Sequence, residues 1–335
     1  MRKPDFENIQ LILNKEKPHR PTIFEFSINP VIFELMIPGA RGNREKWAQA
    51  WAALGFDFAI YWNYLPQFPR HEHDTGRTIS LNDGAMIDSW ESFEKYPWPN
   101  VQTNDYSEIF DTELPAGMKI IAHGPCGLLE NVIGLLGYDN LCMMIFDNPE
   151  LVQAVVDKVA VILYQHYEKC LESEKVGACF VNDDWGFAQQ PMISPADMRK
   201  YIVPWTAKIV NLIHDHNRQA LQHSCGNAFD CGLIDDVIDV CKFDGRHSYE
   251  DSTLPVEEAY RRYHKRLAII GGLDVDFLCR RPVDEIKQRA QNMLEMSASE
   301  GAYALGSGNS IPDYVPINNF FAMMQTATNL DYPGI

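Results

Sequence analysis

The 335-residue chain is 46% hydrophobic and 22% charged, and its 46 acidic and 29 basic side chains leave a formal net charge of −17. That balance argues against nucleic acid and against an anionic membrane as partners, since both need a basic footprint. The eight cysteines are scattered without a CxxC pair, so neither a disulfide framework nor a zinc ribbon is indicated. Met1 to Glu7 lacks an apolar signal-peptide core, and no run approaches the roughly 18 apolar residues of a membrane span. A reducing cytoplasm is the expected location.

In chain order, Asp5 to Lys15 reads as an amphipathic helix with Phe6, Ile9, Leu11 and Ile12 on its apolar face. Thr22 to Phe26 reads as a buried strand, Arg44 to Leu54 as a helix, and Phe56 to Tyr61 as a second strand. Residues 63–100 break the rhythm with prolines, the pair His71/His73, an alternating Thr78-Ile79-Ser80-Leu81 and the turn Asn82-Asp83-Gly84, which predicts a hairpin insertion. A strand at Lys119 to Ala122 precedes a long helical region, Leu128 to Glu172, with Pro149 opening a helix. Further strands are expected at Ala178–Val181, Ala220–His223, Lys242–Ser248, Leu267–Gly272 and Ala302–Gly308. Between them lie helices from Ser194 to His216, Leu233 to Val240, Val256 to His264 and Pro282 to Met296, and a last helix runs from Ile317 to Ala327.

Eight near-continuous apolar strands, each followed by a helix or an excursion, predict a parallel sheet covered on both faces. We expect an α/β fold, a single (β/α)8 TIM-barrel domain over residues 1–335, with an N-terminal helical extension. An open doubly wound sheet is the competitor, but no GxGxxG follows the first strand. Barrel chemistry sits at the C-terminal strand ends, and polar residues collect there: Glu25 and Asn29, Tyr61, His123 and Cys126, Asn182, Asp183 and Asp184, His223 and Cys225, His247 and Ser248, Asp274, Ser307 and Asn309. In Leu221-Gln222-His223-Ser224-Cys225-Gly226-Asn227, residues i and i+2 of a strand project an imidazole and a thiol to one face, a pair that suits zinc. Simpler readings stand beside these: a turn cap for Asp183 or Asp184, and a hydrogen-bonded structural histidine for His123.

The chain resembles the uroporphyrinogen decarboxylase superfamily, and within it the corrinoid-dependent methyltransferase branch. The matching pieces are Asn182-Asp183-Asp184-Trp185-Gly186, Ser194-Pro195 with Tyr201-Ile202-Val203-Pro204, and His223-Ser224-Cys225-Gly226-Asn227. Gly271-Gly272-Leu273-Asp274 and Leu305-Gly306-Ser307-Gly308 with Ile311-Pro312 follow in the right order. The arginine-rich N-terminal motif of true decarboxylases is missing; Ser27-Ile28-Asn29-Pro30-Val31 stands in its place. The resemblance implies a TIM barrel and a zinc ion held by His223, Cys225 and a later cysteine. That later position is Ser307, so His247 is expected as the replacement ligand, with Glu25 second.

What the resemblance implies about function is methyl transfer between a small methylated substrate, a methyl ether or methylamine, and the cobalt of a corrinoid carried by a small separate protein. Asp184 and His123 are the expected catalytic groups, and Glu25, Asn29, Tyr61, Asn182, Ser307 and Asn309 the expected substrate contacts. Alternatives are a methylcobamide:thiol methyltransferase, a porphyrinogen-type decarboxylase, and a non-catalytic protein that binds a small molecule or a corrinoid. A homo-oligomer is compatible with each. Few Arg or Lys lie at the strand ends, Arg246 being the main one, which counts against a polycarboxylate substrate.

Overall fold

In the computed structural model, which describes residues 2–62, 64–70, 81–82 and 85–333, the apolar runs pair in chain order into one parallel sheet. Its strands are β1 Phe58–Ala59, β2 Lys119–His123, β3 Val176–Asn182, β4 Gln219–His223, β5 Gly245–His247, β6 Ala268–Ile270 and β7 Tyr303–Ala304. Parallel neighbours need long crossovers, and helices supply them. The first expected strand is reduced to a single parallel bridge, Ile23 to Leu305, with Phe24 N donating to Leu305 O at 2.8 Å and Leu305 N to Thr22 O at 2.9 Å. This seam carries the sheet past β7 and curls it into a TIM-barrel-like α/β fold. Inside, the Phe24 ring lies 4.9 Å from Phe58, 5.5 Å from Phe180 and 5.8 Å from His247, so side chains from four parts of the chain meet across the interior.

The N-terminal helix Glu7–Leu13 buries Ile9, Ile12 and Leu13. The helical region expected over 128–172 is three helices, Leu128–Leu136, Tyr138–Asp147 and Pro149–Leu171, the last opening at Pro149 as expected. Gly137 breaks the first at φ +79°, a conformation that costs glycine little. The helix from Ser194 begins with the Ser194 hydroxyl accepting from Asp197 N, then widens into a π-turn over Met198–Ile202 where Pro204 has no N–H for the preceding turn. Helices at Pro30–Met36, Trp90–Lys95 and Val275–Arg280 were not anticipated, because each is under two full turns and carries little periodicity. The hairpin strand Thr78–Ser80, the turn residues Asp83 and Gly84, and the pair His71/His73 lie outside the described residues. Among the described residues no single helix is long and apolar enough to cross a membrane.

The seam between Thr22–Phe26 and β7 is sealed by a buried polar contact. Glu25 is fully buried; its Oε1 accepts from Ser307 N at 2.7 Å and its Oε2 from the Ser307 hydroxyl at 2.6 Å. Burial pushes the Glu25 carboxyl up to about 8, with the two Ser307 bonds pulling the other way. Glu25, expected as a substrate contact and as a reserve metal donor, is thus enclosed in the wall: both oxygens are spent on Ser307. Beside it a Cβ on Gly306 would lie 1.8 Å from the Phe24 carbonyl, so only glycine lets the seam close.

Two outcomes follow from the seam. Between the ordinary carboxyl range and about pH 8 the folded chain holds a proton on Glu25 that the unfolded chain has lost. Its contribution is therefore full at low pH and fades as pH rises through that window, by a few kcal/mol at most. Thermal midpoints measured from pH 5 to pH 8 should fall less in Glu25→Gln, which keeps the shape and the Ser307 N–H bond while its amide donates to a Ser307 hydroxyl turned to accept, than in wild type. Gly306→Ala sets its methyl against a backbone carbonyl that cannot move aside, and denaturant titration should show a loss of about 3 kcal/mol or more.

Candidate functional site

The parallel register sets Asn182, His223 and His247 side by side at the C-terminal ends of β3, β4 and β5. Paired residues of neighbouring parallel strands face the same side. The His223 ring stacks on His247 at 5.0 Å and on Phe26 at 4.9 Å, which places both imidazoles on the inner face. His223 Nδ1 and His247 Nδ1 are 2.8 Å apart, and His247 Nε2 is 3.3 Å from the Ser307 carbonyl.

This network assigns the protons. A carbonyl only accepts, so His247 carries its hydrogen on Nε2; burial holds His247 well below the usual imidazole range, so it is neutral and its Nδ1 is an acceptor. His223 must then donate from Nδ1, and its Nε2 presents a lone pair to the barrel mouth.

That lone pair meets two further donor atoms. Cys225 Sγ is 3.7 Å from His223 Nε2, Asp184 Oδ1 is 3.8 Å from it, and all three atoms lie within 4.8 Å of one another. A tetrahedral zinc ion with bonds of about 2.0–2.3 Å sets its donors roughly 3.3–3.8 Å apart, so a nitrogen, a sulfur and an oxygen stand here close to the spacing the ion needs, with a fourth position open. The residues fit the metal. The loop after β4 is drawn onto the loop after β3 by Cys225 N donating to Asp184 Oδ1 at 2.7 Å. Gly226 allows the approach: at φ +84°, a Cβ there would lie 2.0 Å from the Gly186 carbonyl.

Burial holds His223 down at about 4, with Asp184 opposing and Arg246 assisting, so the imidazole is neutral. Burial, then the neighbouring Asp184, pushes the Cys225 thiol up to about 12, although Ser248 Oγ at 3.7 Å and Asn309 Nδ2 at 3.1 Å both donate towards the sulfur. Glu130, in the first turn of Leu128–Leu136, is pushed up to about 7 by burial and by Asp184, which leaves a carboxyl able to give or take a proton near neutrality. Sequence reasoning passed over Glu130 because it sits inside a helix rather than at a strand end.

The other expected residues divide. Asn182 stands beside His223, nine-tenths buried, with no partner for its Oδ1. Asn309 reaches the sulfur. His247, expected as a metal ligand, has Nδ1 on His223 and Nε2 on Ser307, so it backs the ligand and does not join the donor triangle. Asp184, expected as a proton-transfer group, brings its oxygen into that triangle instead. His123, expected to be catalytic, is fully buried, with Nε2 2.8 Å from Tyr61 O and Nδ1 3.0 Å from Gly124 O, and burial lowers it to about 4. It ties two strand ends together. Three expected substrate contacts are likewise committed to the frame. Asn29 caps Pro30–Met36 by accepting from Val31 N, Tyr61 donates to Arg44 O at 2.9 Å, and Ser307 is fully buried on Glu25. Asp183 accepts from Leu129 N, Glu130 N and the Trp185 indole: it caps the earlier helix Leu128–Leu136 across the barrel mouth, where the simpler reading expected a cap on its own following turn.

The family model for uroporphyrinogen decarboxylase (URO-D) matches residues 107–330. Uroporphyrinogen decarboxylase of Geobacter sulfurreducens is 23% identical over 250 residues, which cover 71% of this chain and 69% of that protein. The enzyme of the same name from Geotalea uraniireducens is 25% identical over 189 residues, covering 56% of this chain and 51% of that one. Among solved structures, a methyltransferase from Methanosarcina mazei superposes with a TM-score of 0.69 over 96% of this chain and 97% of its own, at 17% identity, a likeness of fold. With the matched segment spanning two thirds of its length, the chain belongs to the uroporphyrinogen decarboxylase (URO-D) family.

Proposed function

We propose that the chain is a zinc-dependent methyltransferase, moving a methyl group between a small methylated substrate and the cobalt of a corrinoid carried by a separate small protein. The observation that carries this reading is the donor triangle of His223, Cys225 and Asp184, with the histidine tautomer already set for a metal. The methyltransferase of like fold supports it. A porphyrinogen-type decarboxylase needs cations facing several carboxylates. Arg246, the main strand-end arginine, is fully buried with both Nη groups on backbone carbonyls, and carboxylates crowd the mouth instead.

A zinc ion held by these three residues supplies Lewis acidity, polarising the atom that bears the methyl group. One nitrogen, one sulfur and one oxygen make a harder set than two thiolates, which favours an oxygen- or nitrogen-centred substrate, a methyl ether or methylamine, over a thiol. The chain's own residues do the rest. Phe26, Trp62 and Phe180 form an apolar wall beside His223. Ser248 and Asn309 steady the sulfur. Glu130, poised near neutrality, holds the proton that a departing alkoxide or amide needs.

Elemental analysis of purified protein should find about one zinc per chain, lost in His223→Ala and Cys225→Ala and weakened about ten- to a hundredfold in Asp184→Ala. Zinc-free protein that still methylates cob(I)alamin after Cys225→Ala would falsify the proposal. The proton balance is a second check. At pH 7 Cys225 is a thiol and His223 is neutral, so zinc binding should release about one proton, all of it from Cys225. Calorimetry in two buffers of different ionisation enthalpy reads that number, and Cys225→Ser should bring it close to zero.

A further inference from the structure

Arg246 alternates with His247 on β5, so the guanidinium leaves the sheet on the opposite side and runs under the strand-end loops. It is fully buried. Nη2 donates to the Ser224 carbonyl at 2.9 Å and Nη1 to the Ser248 carbonyl at 2.7 Å; Nε finds no acceptor. The rings of Phe229 and Tyr249 lie 4.9 and 5.4 Å from its central carbon. Among the described residues no carboxylate forms an ion pair with it. A cation shut away from water without a counter-ion is a poor stabiliser, and aromatic faces return only part of what dehydration takes. Packing alone would be met as well by an apolar side chain.

The two carbonyls it holds explain its presence. Ser224 precedes Cys225, and Ser248 sends its hydroxyl to Cys225 Sγ. The guanidinium therefore spans the two loops that fix the sulfur, with its charge on the side of the site away from solvent. We propose, resting on the metal reading above, that Arg246 is a positioning residue of the metal centre. It locks the Ser224–Cys225 peptide against Ser248 so that Sγ stands at bonding distance from an ion on His223 Nε2, and it places a fixed positive charge behind the anionic donors Cys225 and Asp184.

The test compares wild type, Arg246→Met and Arg246→Lys for three readings: zinc affinity against a chromophoric chelator, the visible spectrum with Co2+ in place of zinc, and the melting midpoint of the metal-free protein. Arg246→Met should bind zinc about ten- to a hundredfold more weakly and alter the thiolate-to-cobalt charge-transfer band. Lysine, which keeps the charge and one donor, should recover part of both. The metal-free protein should still fold, its midpoint lowered by no more than the loss of two hydrogen bonds to backbone carbonyls explains. Unchanged zinc affinity and cobalt spectrum in Arg246→Met overturn the inference. So does a loss of affinity that merely follows a fallen melting midpoint and that lysine does not relieve. Should the methionine variant fail to fold, Arg246→Lys is judged alone, and a wild-type spectrum and affinity there count against the role of the second hydrogen bond. Wild type that takes up neither zinc nor Co2+ is a different result: it removes the metal reading and this inference with it.

Discussion

The hydrogen bond between His223 Nδ1 and His247 Nδ1 is the contact on which the site depends. Two neutral imidazoles can share a hydrogen there only if one donates and the other accepts, and the Ser307 carbonyl decides which. The result is a directed chain. The carbonyl fixes the His247 hydrogen, His247 fixes the His223 hydrogen, and the outward nitrogen of His223 is left bare. A histidine that had to lose or move a proton before binding a metal would give up affinity to that step; here the fold has taken it in advance. The chain also links β4, β5 and the loop after β7, so the tautomer at the mouth follows from how the sheet curls.

Closure in turn rests on polar groups that are costly to bury. Glu25, His123 and Arg246 are all sealed from solvent, and each is tied to backbone at a strand end: Glu25 at Ser307, His123 at Tyr61, Arg246 at Ser224 and Ser248. Strand ends leave carbonyls and amides with no ladder partner, and a short strand leaves many; β1 and β7 have two residues each. Side chains complete what the ladders do not. The polar residues that gather at the barrel mouth are therefore of two kinds, those that finish the wall and those that face the cavity.

That division explains what the sequence shows and what it hides. Apolar runs mark eight strands, since a strand covered on both faces has no other way to read; seven of them form, and the first survives as the Ile23–Leu305 bridge. His223 closes β4, and Cys225 follows in the loop, held beside it by the Cys225 N to Asp184 Oδ1 bond before Gly226 turns the chain. Sequence does not distinguish a wall polar group from a cavity polar group, for both sit at the same place along a strand. Asn29, Tyr61, His123 and Ser307 all turned inward on the frame, while Asn182 and Asn309 did not. The separation depends on which neighbour across the barrel has an open carbonyl, a long-range matter. The role of Asp184 was hidden for a related reason. Its nearness to the sulfur is set by a bond between two loops, Cys225 N to Asp184 Oδ1, that no local spacing encodes.

The serine at 307 then takes on a definite meaning. Position 307 gives its carbonyl to His247 and its hydroxyl and amide to Glu25, while the third atom of the donor triangle comes from Asp184 at the end of β3. None of the triangle's three donor atoms comes from the β7 side. On that flank lies a cavity of 1030 Å³ lined by Glu250, Asp274, Phe277, Asn309 and Tyr314, and Asn309 joins it to the Cys225 sulfur. The wall of Phe26, Trp62 and Phe180 stands on the other side, beside His223. On the proposed metal reading, an oxygen donor in place of a sulfur makes the harder set that an ether or amine substrate asks for.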